Sequence, residues 1–140
     1  MAACKAKRSK LKLKRPDLEV VEFRGNLQTR LMKLDQGVAA ATFLAMAGLN
    51  RLQMDEVPAT AIETDVMLPA VAQGAIGIER RVADSNMADM LAAIHDTPTG
   101  QRLLAERAFL LELDGSCETP IAGLAELDGG TLHLRGEVLR

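Results

Sequence analysis

Aromatic residues are almost absent from this chain, which has no Trp, no Tyr and three Phe among 140 residues. Recognition of nucleic acid by base stacking on aromatic side chains is therefore not expected. Cys4 and Cys117 lie far apart, and His95 and His133 are equally isolated. This spacing suits neither a zinc cluster nor a redox pair. Hydrophobic residues still make up 48% of the chain, so we expect a core packed by aliphatic side chains.

Long apolar runs are also missing. No stretch approaches the roughly 20 apolar residues that a membrane-spanning helix needs. The N-terminus contains no apolar signal-peptide core. We therefore expect no membrane partner and a cytoplasmic location.

Charge is distributed unevenly along the sequence. Seven of the 17 basic residues precede Pro16, so the rest of the chain has ten basic against 19 acidic residues and a net charge of −9. A basic arm of this kind could contact nucleic acid or another polyanion. The favoured interpretation is a solvated helix with Leu11 and Leu13 partly buried, which makes a nucleic-acid partner an unfavoured alternative.

The residue pattern up to about position 96 alternates between strand and helix signals. Apolar spacing predicts helices at 26–34, 46–52 and 84–94, with Gly37 ending the first. β-Branched and apolar runs predict strands at 18–23, 39–45, 62–67 and 75–79. Such alternation is typical of parallel βαβ units, so this part is predicted to be α/β.

A different pattern begins near residues 96–98, where we place a boundary. Thr99 is predicted to cap a helix that runs to about Leu113. Residues 120–127 and 131–138, joined by 128–130, read as an antiparallel hairpin. The predicted fold class is therefore α/β followed by α+β.

Cys117 lies on a predicted turn between that helix and the hairpin. Gly115 and Ser116 precede it and Pro120 follows, a setting that favours an exposed thiol able to carry a group covalently. The alternative is a half-buried structural thiol. The end of a helix and Glu118 both disfavour a thiolate, so the sequence predicts no strongly lowered pKa for Cys117.

Three segments together resemble one family. They are residues 23–31 (FRGNLQTRL), 68–79 (LPAVAQGAIGIE) and 113–123 (LDGSCETPIAG). In this order and spacing they are similar to porphobilinogen deaminases, also called hydroxymethylbilane synthases. The resemblance covers about residues 8–138 and only part of the family's usual length. The family's first domain, with its catalytic aspartate, has no counterpart here.

The resemblance implies an enzyme that condenses four porphobilinogen units to hydroxymethylbilane in tetrapyrrole biosynthesis and releases ammonia. It implies that Cys117 carries a dipyrromethane cofactor through a thioether and that arginines bind the carboxylates of the cofactor and the growing pyrrole chain. Ala6-Lys7 and Arg8 lie where the family has paired arginines, so Arg8 or Lys7 would serve there. The implied carboxylate-binding residues are Arg24, Arg30, Arg51 and Arg8.

The family fold implies two lobes of periplasmic-binding-protein type and a third, cofactor-carrying domain. Residues 1–74 would be the basic arm and part of the second lobe, 75–96 a strand and helix of the first lobe, and 97–140 the start of the third domain. The absent first domain would be a partner. We expect the chain alone to be inactive, to lack the cofactor, and to expose apolar edges that favour self-association.

The residues themselves leave alternatives open. Arg24 lies where a strand signal meets a helix signal, so its guanidinium and the first helical N–H groups could bind one anion. Arg30 could instead pair with Asp35 or face solvent. A non-catalytic anion-binding module therefore remains an alternative to the enzyme.

Overall fold

The computed structural model describes residues 5–116 and 119–139, and in this part of the chain five α-helices precede one antiparallel hairpin. The helices are α1 (Lys5–Lys14), α2 (Leu27–Asp35), α3 (Met46–Arg51), α4 (Ser85–Ala92) and α5 (Thr97–Glu112). The strands are β1 (Ile121–Asp128) and β2 (Thr131–Val138). None of the described helices combines the length and the apolar character needed to cross a bilayer.

The ends of α2 follow from its sequence. The side chain of Asn26 accepts a hydrogen bond from the Thr29 amide and so caps the helix. At the other end Gly37 adopts a φ of +71°, with hydrogen bonds from Gly37 N to Leu34 O and from Val38 N to Lys33 O. This is the Schellman arrangement, which needs a left-handed residue. The predictions of α2 and α3 are confirmed.

The later helices differ from prediction in detail. α4 ends at Ala92, two residues earlier than expected, and contains no buried residue. α5 begins at Thr97, and its cap is Asp96 rather than Thr99. Asp96 Oδ1 accepts a hydrogen bond from the Thr99 amide at 2.8 Å. Thr99, the predicted cap, therefore donates the capping hydrogen bond instead of accepting it.

The four predicted strands before residue 80 are wrong for this structure. Residues 18–23, 39–45, 62–67 and 75–79 form no strand, and the described residues contain no parallel sheet. A strand needs a neighbour for its N–H and C=O groups. Among the described residues before α5, only Ala70 takes part in strand-like pairing, through a single antiparallel bridge to Ala122 in β1.

The predicted hairpin is confirmed. Ile121 pairs with Val138 and Asp128 with Thr131, which leaves Gly129 and Gly130 as a two-residue loop. Their φ angles are +53° and +84°. Two positive φ angles are the signature of a type I′ turn, whose twist matches that of the strands it joins.

The hairpin is the part of the molecule on which other segments pack. α5 lies against both strands, and Ala6 of α1 shares a buried cluster with Ala122 and Leu139. Lys10 forms an ion pair with Glu137. Arg135 binds Asp65 and also donates to Thr64 and Glu126, each at 3.0 Å. The hydrogen bond to Asp65, and secondarily that to Glu126, raises the pKa of Arg135.

Much apolar surface remains uncovered. Ile76 is 88% exposed, Val82 is 96% exposed and Leu111 is 80% exposed. Leu13 of α1 is exposed too, so only Leu11 of the two predicted arm leucines is partly buried. The observed fold is thus a mixture of helices with one small antiparallel sheet, and one helix, α4, has no buried residue.

Candidate functional site

Phe23 forms the centre of a cationic cluster. Its side chain is buried, and it lies just before α2. The Arg30 guanidinium carbon is 5.6 Å from the ring centroid and Lys33 Nζ is 5.7 Å from it. Residues three apart share one face of a helix, which brings both cations to the ring. Each lies within the distance at which a cation is attracted to an aromatic face.

Arg30 is the buried member of this cluster, with 8% of its surface exposed. It donates from Nη2 to Thr42 Oγ1 at 3.0 Å. Its Nε is buried and has no hydrogen-bond partner among the described residues. Arg30 therefore neither pairs with Asp35 nor faces solvent. A buried guanidinium with an unused donor is costly unless an anion or another acceptor satisfies it.

Arg24 lies next to the cluster in sequence and is exposed, with 77% of its side chain accessible. Its Nε and Nη2 both approach Glu22 Oε1, at 2.7 and 2.6 Å. Its main-chain oxygen accepts a hydrogen bond from Lys33 Nζ at 2.8 Å. Lys33 thus connects the Arg24 backbone to Phe23.

The turn between Arg24 and α2 is built from glycine and asparagine. Gly25 has a φ of +135°, and a Cβ there would lie 2.7 Å from Thr29 Cγ2, so a larger residue is excluded by both backbone and space. Asn26 Oδ1 accepts from the Thr29 amide at 2.9 Å and from its hydroxyl at 2.8 Å. The Thr29 amide therefore already donates to Asn26 and is not available to a ligand. The predicted anion site, shared by the Arg24 guanidinium and helical N–H groups, is thus restricted to the N–H groups of α2 that precede Thr29.

Arg51 and Arg8 lie outside this cluster. Arg51 is the last residue of α3 and is exposed. α3 approaches α2 at Gly48, where an added Cβ would lie 3.5 Å from Leu27 Cδ1. Arg8 is exposed on α1. Neither arginine makes a hydrogen bond or ion pair in the described part of the chain that would join it to Phe23.

A cavity of about 660 Å³ lies beside the cluster. Its walls come from α2, α3 and the irregular segments 40–45, 57–64 and 67–74, and they are mainly apolar. Thr42 lines the cavity and also accepts the Arg30 hydrogen bond, so it joins the two features. Lys7 and Gln73 contribute polar groups to the lining.

The predicted attachment residue Cys117 lies outside the described residues, as does Cys4. The residues on either side of positions 117 and 118 are fixed. Ser116 N donates to Thr119 Oγ1 at 2.9 Å, and Thr119 N donates to Ser116 O at 3.0 Å. Gly115 packs so closely that a Cβ there would lie 2.6 Å from both Leu110 Cδ1 and Ile121 Cδ1.

Sequence reasoning identified Arg24 and Arg30 as neighbours in one segment but missed Phe23, Lys33 and Thr42. A signal existed for Lys33, because it follows Arg30 by three positions in a predicted helix. No local signal indicated Thr42, which reaches Arg30 from a separate segment.

Comparisons with known proteins match two consecutive stretches of the chain. Residues 2–89 match the family model described as porphobilinogen deaminase, dipyromethane cofactor binding domain. Residues 101–140 match porphobilinogen deaminase, C-terminal domain. The first match includes Arg8, Arg24, Arg30 and Arg51, and the second includes position 117.

A porphobilinogen deaminase from Paracoccus denitrificans (strain Pd 1222) is 64% identical over 134 residues. The alignment covers 96% of this chain and 43% of that relative, so the chain spans less than half of the relative's length. Two consecutive domain models and this identity agree, and the chain belongs to the porphobilinogen deaminase family.

Proposed function

We propose that this chain forms the carboxylate-binding and cofactor-carrying portion of a porphobilinogen deaminase. The reaction is that of hydroxymethylbilane synthase, a transferase that condenses four porphobilinogen units to hydroxymethylbilane and releases ammonia. Support comes from the 64% identity to a porphobilinogen deaminase and from the two domain models. Porphobilinogen and the growing pyrrole chain are the proposed ligands, and the reaction is assigned to the cytoplasm.

The observation that carries the proposal is the buried Arg30 with its unused Nε donor. Pyrrole units of this pathway carry acetate and propionate groups, and a guanidinium is suited to carboxylates. A carboxylate at Arg30 would satisfy that donor without breaking the bond to Thr42. The residues present therefore fit a carboxylate-bearing dipyrromethane.

We assign further carboxylates to Arg24, Arg51 and Arg8. Arg24 would exchange Glu22 for a ligand carboxylate, whereas Arg51 and Arg8 are exposed and make no described ion pair that must be broken. Cys117 would attach dipyrromethane through a thioether. When bound, that group supplies the free pyrrole end to which porphobilinogen units are added. The fixed flanks Ser116 and Thr119 would hold the attachment segment at the end of α5.

The proposed domain organisation follows the family. Residues 1–74 contribute to the second of two lobes of periplasmic-binding-protein type, 75–96 to the first lobe, and 97–140 to the third domain. The exposed Ile76 and Val82 support this assignment, because the rest of the first lobe would cover these two side chains. The remaining portion of the family protein is the proposed partner, and self-association is expected without it.

Calorimetric titration with porphobilinogen tests the carboxylate site. Arg30→Lys keeps the charge but removes Nε and the forked geometry. We expect it to weaken binding by about 1.5–3 kcal/mol, the range for a hydrogen bond to a charged group. Arg24→Ala should cost less, about 1 kcal/mol at most, because Arg24 is exposed and already paired.

Arg15→Ala is the matched control. Arg15 is exposed and pairs with Asp17 two residues away, just as Arg24 pairs with Glu22, but it lies outside the cluster. Its substitution should leave affinity unchanged. Equal affinity in all three variants, with circular dichroism showing an intact fold, would refute the carboxylate site.

A further inference from the structure

Glu106 is a buried carboxylate that the proposed chemistry does not use. It lies in the middle of α5 and is 7% exposed. Its Oε2 accepts a hydrogen bond from the Ala72 amide at 2.7 Å, and its Oε1 accepts one from the Ala125 amide at 2.9 Å. Burial of a carboxylate is unfavourable unless hydrogen bonds stabilise the charge, and here two main-chain amides do so. These amides belong to distant segments of the chain.

The outer edge of β1 explains the position of Glu106. Gly123 N donates to Pro69 O at 3.0 Å, and Ala70 forms an antiparallel bridge with Ala122. Side chains and amides alternate along a strand, so the Ala125 amide points to the same edge as that of Gly123. The short segment at 69–70 does not satisfy Ala125. Glu106 does: its carboxylate accepts the hydrogen bond that the next main-chain carbonyl of a third strand would otherwise accept.

The other partner of Glu106 has an unusual backbone conformation. Ala72 has a φ of +61°, a left-handed conformation that costs an L-residue with a Cβ energy. Residues held in such conformations persist when the surroundings determine them. The hydrogen bond from the Ala72 amide to a buried carboxylate is the contact that does this.

We propose that Glu106 is a positioning residue that fastens residues 69–74 to the hairpin, where it acts as a third-strand hydrogen-bond acceptor. Gln73 and Gly74, which line the cavity, are then held in fixed relation to β1. The same helix, α5, leads to the segment that contains Cys117. One side chain thus couples the cavity wall to the attachment segment. The fastening of residues 69–74 requires no bound pyrrole, whereas the link to the attachment segment rests on the proposed function.

Amide hydrogen exchange measured by NMR on the full chain tests the proposal. Glu106→Gln keeps the size of the side chain. The glutamine NH2 group, however, cannot accept a hydrogen bond, so one of the two backbone amides loses its acceptor. We expect exchange to accelerate by about 10- to 100-fold at the one of the Ala72 and Ala125 amides that loses its acceptor, the factor that corresponds to losing a hydrogen bond to a charged group. Amides within α2 should keep their protection.

Glu112→Gln is the matched control, because Glu112 is exposed on the same helix and its substitution makes the same charge change. It should alter neither amide. A uniform loss of protection that includes α2, or no change at Ala72 and Ala125, would overturn the proposal.

A measurement on the unsubstituted protein covers the case in which Glu106→Gln does not fold. Scalar coupling across hydrogen bonds should connect the Ala72 and Ala125 amide nitrogens to the Glu106 carboxylate carbon. Such couplings would support the positioning role, and their absence for both amides would exclude it.

Discussion

At the scale of single residues, the contact between α5 and the hairpin depends on two glycines that face each other. Gly123 and Gly136 are partners in the β1–β2 register. The Phe109 ring lies over both glycines. A Cβ on Gly136 would be 2.8 Å from Phe109 Cε1, and a Cβ on Gly123 would be 3.5 Å from Phe109 Cδ1. The missing side chains leave room for the ring. Packing of this density tolerates no added methyl group without movement.

Gly136→Ala should therefore destabilise the protein by about 1–3 kcal/mol, the usual cost of overpacking a filled site. Gly77→Ala is the control, because nothing lies within 4 Å of a Cβ at Gly77. That variant should be neutral or slightly more stable, since alanine restricts the unfolded chain. Urea unfolding followed by circular dichroism measures both. Equal stability of the two variants would contradict the assignment of Phe109 to this glycine pair.

At the scale of secondary structure, the sequence predicted the helices better than the strands. A helix satisfies its main-chain groups internally, so the spacing of Leu27, Leu31 and Leu34 was sufficient for α2. The hairpin was also predictable, because Gly129-Gly130 sets a local turn. Residues 39–45 have strand-like composition but no strand partner in the described chain, and composition cannot supply one.

The candidate site was predictable to a similar degree. Arg24 and Arg30 lie in one short segment, and their proximity follows from local structure alone. The Thr42 contact to Arg30 and the Glu106 contact to Ala72 join residues 12 and 34 positions apart. Contacts of this kind depend on tertiary packing, which periodicity does not encode.

The cap of α5 gives a pH-dependent prediction. Hydrogen bonds from Thr99, from its side chain first and its amide second, lower the pKa of Asp96 from the ordinary value of 3.8. A pKa that is lower in the folded state adds stability above pH 3.8, and this stability is lost as pH falls through the folded pKa. Urea midpoints of the wild type should thus fall on acidification from about pH 5 to about pH 3.

Asp96→Asn is the informative variant for that prediction. Asparagine caps a helix about as well as aspartate but does not titrate. Its urea midpoint should fall less steeply over the same pH range, whereas Asp96→Ala should lower the midpoint already at neutral pH. Parallel pH curves for wild type and Asp96→Asn would show that Asp96 contributes no titrating stability.

At the scale of the whole molecule, the chain exposes more surface than its mass requires. Its accessible surface is 10440 Å² at 15.1 kDa. A compact monomer of that mass has about 7,100 Å². Apolar side chains contribute to the excess, Val82 and Ile76 most completely. Surface of this kind is typical of a portion that packs against further polypeptide, in agreement with coverage of 43% of the Paracoccus relative.

We therefore expect no turnover of porphobilinogen by this chain alone. Acid–base assistance contributes about 10²–10⁴ in rate, and a closed site adds orientation and water exclusion. The resemblance places the aspartate for such assistance in the family's first domain, outside the segments that this chain resembles. The assay is formation of hydroxymethylbilane, followed as uroporphyrin after acid oxidation. Addition of the separately prepared unmatched portion of the relative should restore some activity, and Cys117→Ser should abolish it.

Turnover by the chain alone would overthrow that expectation if it persisted after removal of host enzyme. Peptide mass spectrometry after incubation with preformed hydroxymethylbilane provides the accompanying check on attachment. Adducts should map to Cys117 and not to Cys4, and equal labelling of both would remove the case for a dedicated attachment residue.

In the small cluster of Ala6, Ala122 and Leu139, Ala6 precedes each of the other two residues by more than a hundred positions, so the cluster closes a long loop. The entropy of closing a flexible loop grows only with the logarithm of its length, about 0.6 kcal/mol for each doubling. Lengthening the intervening chain therefore changes the docking of α1 very little. The attachment of α1 to the hairpin is governed by the few atoms that meet there, so an insertion among the exposed residues 76–83 should not loosen it.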